Sequence, residues 1–287
     1  MPLPFETKGF MQVTAVRSTA VAKIATLPPP MTVAQAQAAL KNNSKLSIAI
    51  ADTTANIKAN LAVLANVATQ IKSIVSTTPE QKLTVTAAEV KNFTDVLAKT
   101  PTNNMIVSDS FEALNGSLSA LRKLNETIKT IVIAPTPVGT LQRIDPSDSQ
   151  LWGKSLNGRF EIATNPGAAD SSKALANNYM AIKSLEDRGL LAGIESTKGA
   201  TITANVDQSQ KLAAIFQKYG TEFYLNIRDT SANISKGIDF IAANNSKLNE
   251  ITQIGNIKPL EITRSQNKLA DRALAKMKNA YSLNLYK

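Results

Sequence analysis

Apolar and polar residues alternate from Lys45 to Ile50, with Leu46, Ile48 and Ile50 on one face, and this predicts a strand. The spacing then changes. Ile57, Leu61, Leu64 and Val67 recur at helical intervals and predict a helix from Asp52 to about Gln70. Ile71 to Val75 reads as the next strand, and Leu83-Thr84-Val85 as another, or as its continuation past a turn at Thr77 to Gln81. Thr86-x-x-Glu89 is a capping box, in which two side chains satisfy the first amides of a helix. Val90, Phe93, Val96 and Leu97 give that helix its apolar face. Met105 to Val107 predicts a strand, Asp109-x-x-Glu112 opens a helix carrying Leu114, Leu118, Leu121 and Leu124, and Ile128 to Ile133 predicts a further strand. Upstream, Thr32-x-x-Gln35 opens a short helix through Leu40.

The pattern weakens at both sides of this block. Residues 1–30 read as a Pro-bearing arm with one weak strand near Phe10 to Val16, closed by Pro28-Pro29-Pro30. Residues 134–169 carry several Pro and Gly and the only Trp, Trp152, and read as an irregular insert with one short hairpin around Phe160 to Ala163. From Asp170 the alternation resumes: Leu175, Tyr179 and Ile182 on a helix, strands at Leu190 to Ile194 and Ala200 to Thr203, a helix over Val206 to Tyr219, a strand at Phe223 to Ile227 and a last strand at Tyr281 to Leu285.

Much of this is written more than once. Asp52-Thr53-x-Ala55-Asn56-Ile57 returns as Asp229-Thr230-x-Ala232-Asn233-Ile234, an offset of 177 residues (229 − 52) that holds without a gap to Leu274-Ala275-Lys276. Asp109 opens a further copy 57 residues after Asp52 (109 − 52). Strands joined by helices, repeated at a fixed period, predict an α/β fold: a strand–helix solenoid with a parallel strand ladder, interrupted by one irregular insert. The expected parts are an arm and edge strand over 1–30, repeat blocks over 31–133 and 170–287, and an insert or linker over 134–169. A doubly wound globular sheet is the competing fold. No Gly-rich phosphate loop follows any strand, so a dinucleotide-binding arrangement has little support.

Composition narrows the chemistry. The 287 residues contain no Cys and no His, which removes disulfides, Cys/His zinc sites, thiol nucleophiles and His general bases. Aromatic residues make up only 5%, so the core is aliphatic. The net charge of +10 reads either as a solubility device or as attraction to an anionic surface. No run of eighteen apolar residues is present, so no transmembrane helix is expected, and the N-terminal residues lack the basic start and apolar stretch of a cleavable signal peptide.

Asp52 with Asn56, and Asp229 with Asn233, have a carboxylate and an amide at one spacing. Calcium needs six to eight oxygens, and no glycine-aspartate calcium loop is present, so structural repeat caps are the stronger reading. Asp109, Thr86 and Thr263 are read as caps in the same way. Asp145, Asp148, Glu161 and Arg159 are the only carboxylate cluster that invites a catalytic reading, and nothing in their spacing specifies one. No catalytic, cofactor or metal residue is therefore assigned. Candidate assembly contacts are Phe5 and Phe10 in the arm, Trp152 and Phe160 in the insert, and Tyr281, Leu283 and Leu285 in the last strand. Trp152 and Phe160 read equally well as a plug at the joint. An uncovered strand edge is a template for another chain.

The repeat of Asp-Thr-x-Ala-Asn-Ile, a Leu-x-x-Leu helix, Ile-x-x-Ile and Leu-x-Ile/Val-Thr resembles tandem repeats of large secreted bacterial surface proteins, adhesin-like and haemolysin-like ones among them, over residues 31–133 and 170–287. The resemblance implies scaffold, surface-layer or adhesion roles and carries over no catalytic residue. The expected function is a non-enzymatic extracellular structural protein, secreted or at the cell surface without a cleavable leader. It would associate with itself, as a subunit of a self-assembling bacterial surface layer, filament or matrix. The alternative is a basic adhesin-like module for an anionic glycan, lipopolysaccharide or nucleic acid.

Overall fold

The computed structural model describes residues 29–137, 140–163, 174–195 and 199–287. The fold is mixed α/β, with several short sheets of parallel strands. The first sheet pairs β1 (Ile48–Asp52) with β2 (Ile71–Ser76). The second is β3 (Leu83–Val85), β4 (Met105–Asp109) and β5 (Ile128–Ile133). The third is β6 (Gln142–Ile144), β7 (Phe160–Ala163) and β8 (Leu191–Glu195). The fourth is β9 (Ala200–Ala204), β10 (Phe223–Asp229) and β11 (Leu248–Gln253), and the fifth pairs β12 (Leu260–Thr263) with β13 (Leu283–Tyr286). Every pairing between these strands is parallel, as helical crossovers require. The described strands do not form the single sheet of a doubly wound fold.

Two kinds of step alternate along the chain. In the first, a side chain at the end of an extended segment caps a helix: Thr32, Thr86, Asp145, Asn205 and Thr263 accept a backbone N–H two or three residues on. In the second, the chain leaves β1, β4 or β10 through two short helices and returns in β2, β5 or β11. These steps share one irregularity. The register slips after Ile48, Met105 and Leu225, and again after Phe160 where β7 meets β8, so Lys72, Lys129, Asn249 and Ala192 are passed over.

The structure corrects the helix expected from Asp52 to Gln70. It is two helices, Thr54–Ala59 and Leu61–Ala65, separated at Asn60, whose φ of −112° and ψ of 14° leave the helical range. The corresponding breaks fall at Gly116 to Ser117 and at Gly237. Asn, Ser and Gly are all weak helix formers, and apolar periodicity does not register them.

The segment 134–169 also departs from expectation. A hairpin would be antiparallel, yet β6 and β7 are parallel, in register Ile144 to Ile162, and β7 continues to β8. Asp145 takes the capping position that Thr86 holds in the preceding copy. The described part of this segment is thus another copy of the step, disguised by Asp145-Pro146 in place of a Thr cap.

Alternate positions of the strands point inward, as Ile48 and Ile50, Met105 and Val107, and Leu225 and Ile227 do, all fully buried. With helix residues such as Leu64, Leu121 and Ile241 they form one hydrophobic cluster running from Val33 to Leu274.

Candidate functional site

The repeated aspartates sit elsewhere than a cap. Asp52, Asp109 and Asp229 are the last residues of their strands, and the helix caps are their neighbours Thr53, Ser110 and Thr230. Each carboxylate instead reaches the helix of the preceding step. Asp52 accepts the Val33 N–H at 2.9 Å, Asp109 the Ala87 N–H at 3.1 Å and Asp229 the Val206 N–H at 2.9 Å. Those amides are the first in their helices and have no intrahelical acceptor. The other carboxylate oxygen accepts the next residue's own amide, from Thr53, Ser110 and Thr230.

Asn56 and Asn233, expected as caps, are not the capping residues either: the side-chain amide of each donates to its own aspartate, at 2.9 Å and 2.8 Å. Thr86 and Thr263 do cap helices, each closing a box with Glu89 or Gln266. In the copy containing β6 the first helical residue is Pro146, which has no N–H to satisfy.

Burial pushes the Asp52 carboxyl up, but hydrogen bonds from the Val33 amide, Asn56 and the Thr53 amide together outweigh it and hold the group below its ordinary value. A carboxyl held down in the folded state stabilises fully above the unfolded value, about 4, and loses that contribution as pH falls through the folded value. Urea midpoints measured from about pH 5 down to about pH 3 are therefore expected to fall, and Asp52→Asn to flatten part of the fall. Equal slopes in the two proteins would refute this account of Asp52.

Trp152 and Phe160 have no exposed surface, which argues against assembly contacts and agrees with the other reading, a plug. Trp152 lies 5.1 Å from the Phe111 ring and 5.5 Å from the Phe160 ring, joining β6–β7 to the helix after β4. Their neighbours in that segment do not converge on a reaction centre. Asp148 is buried and held by Arg122 through paired bonds of 2.7 and 2.9 Å, Asp145 caps a helix, and Glu161 pairs with Arg143. Among the described residues no three carboxylates gather as a metal site would require.

Phe5 and Phe10 lie outside the described residues. In and just before the last strand, Tyr281 is 37% exposed, Leu285 40% and Tyr286 52%, with Leu283 half-buried; Leu156, Met180 and Leu269 are exposed apolar residues elsewhere on the chain. β13 is hydrogen-bonded to β12 along one edge. The Leu260 N–H donates to the Ser282 carbonyl at 2.8 Å. The alternation of a parallel ladder then turns the amides of Leu283 and Leu285 toward the other edge. Among the described residues no helix is long and apolar enough to cross a membrane. Comparison with known proteins found no matching family model, no matching curated protein and no matching solved structure.

Proposed function

We propose that the strand–helix steps stack as one solenoid and that the chain is a non-enzymatic extracellular structural protein. In this reading it is a subunit of a self-assembling bacterial surface layer, filament or matrix. Contacts between successive steps support the stacking. The Ile74, Ile131 and Ile251 amides donate to the carbonyls of Lys99, Lys154 and Lys276 in the following step, at 2.9, 3.0 and 3.0 Å. Lys276 reaches back to the Leu248 carbonyl at 2.6 Å, beside the register slip. Each aspartate adds a bond in the same direction.

The assembly role rests on the β13 edge. It presents the outward amides of Leu283 and Leu285 beside exposed apolar side chains, and parallel pairing with a second copy satisfies those amides and removes that surface from water. The extracellular setting follows from the repeat resemblance. Leu285→Pro removes an outward amide and leaves the β12 side intact. The expected result is a wild-type scattering mass that climbs with concentration and a Leu285→Pro mass that stays at one chain. A wild type that remains at one chain at every concentration refutes the role.

A further inference from the structure

A cleft of about 500 Å³ opens between the helix Ser231–Lys236, the loop leading into β12, and the end of β13. That size lies within the range of small-ligand pockets. Its cations are uncommitted: neither Lys236 nor Lys258 forms an ion pair among the described residues, and both are exposed at the rim.

The hydroxyls on its wall are committed only as acceptors. The Ser231 hydroxyl oxygen accepts the Gln253 side-chain amide and the Lys258 backbone N–H, both at 2.9 Å. The Ser235 oxygen accepts the Glu261 backbone N–H at 2.9 Å. Each O–H proton is thus left to donate. Tyr286, half-exposed, also lines the cleft, and Glu261 supplies one acceptor carboxylate.

Two ammonium groups and two free O–H donors select an anion. A ring beside one carboxylate acceptor suits a polyol with an apolar face. We propose that this cleft binds an acidic saccharide, its carboxylate or phosphate held by Lys236 and Lys258, its hydroxyls by Glu261 and the serines, and its ring against Tyr286. The site goes beyond the assembly role and does not depend on it.

The test is calorimetric titration of the full chain at low salt with trigalacturonate, maltotriose, inorganic phosphate and a short single-stranded DNA. The Lys236→Gln/Lys258→Gln double variant is titrated beside the wild type, and its melting temperature is compared. The expected result is saturable trigalacturonate binding near one per chain. It weakens about tenfold or more in the double variant, which melts as the wild type does. Maltotriose shows no saturable binding, and phosphate competes weakly. Three outcomes overturn the proposal. Trigalacturonate fails to saturate, or it binds the double variant as tightly as the wild type, or DNA matches it with the same lysine dependence, in which case the cleft reads charge alone.

Discussion

Trp152→Ala is expected to destabilise the chain by about 3–5 kcal/mol, the largest loss from any single truncation here. The indole is wholly buried and touches rings on two sides, Phe111 from the helix after β4 and Phe160 from β7. Phe111 and Phe160 are each fixed by their own element, so they collapse only partly into the space an indole leaves. Trp152→Phe removes less volume and also a buried indole N–H that has no hydrogen-bond partner in the protein, so its loss is expected to be smaller. Urea unfolding of the three proteins checks both the size and the order. If Trp152→Ala cost less than about 1 kcal/mol, Trp152 would have to sit at a surface, as the assembly-contact reading required.

Asp229→Ala is the second. It leaves the Val206 amide, the Thr230 amide and the Asn233 side chain without their acceptor, two of the three donors being backbone groups. A buried donor left unpaired costs about 1–3 kcal/mol, and the three are partly redundant, so about 2–4 kcal/mol is expected in total. Asp229→Asn keeps one carbonyl oxygen and is expected to lose about half of that. Hydrogen exchange separates this role from a local cap. A carboxylate that ties two steps together protects Val206, more than twenty residues upstream, and Asp229→Ala is expected to accelerate exchange at the start of the helix Val206–Lys218. Acceleration confined to the Ser231–Lys236 helix would mean that Asp229 acts only on its own step.

Much of this fold was legible because its signals are local. The boxes at Thr32, Thr86 and Thr263 each need only four residues, and each proved to open a helix. The inward faces of β1, β4 and β10 follow from period-two burial. What was not legible depends on partners distant in sequence. Asp52 looked like a cap because Thr53 and the helix follow it, whereas its decisive donor, Val33, lies nineteen residues upstream. No spacing rule links a strand's last carboxylate to the preceding helix.

Trp152 was left between a plug and a contact for a different reason. The Pro and Gly around it outweighed the weak alternation of Gln142 to Ile144 and Phe160 to Ala163, and Asp145 did not match the Thr of the other caps. At Asn205 the strand and helix were legible and only the cap went unread: Asn205-x-x-Gln208 closes the same reciprocal box as Thr86-x-x-Glu89, but an Asn cap is not the residue pair that pattern names. Asp, Asn and Thr are interchangeable there physically, since each offers a short side-chain oxygen to the first turn. Lys236 and Lys258 lie twenty-two residues apart (258 − 236), and their cleft appears only once β12 and β13 pair.

Electron microscopy of the purified chain over a wide range of concentration, with salt and calcium varied, addresses the assembly claim directly. Ordered filaments or sheets that disperse in the Leu285→Pro variant are the expected images. Isolated, uniform single-chain particles under every condition would contradict it.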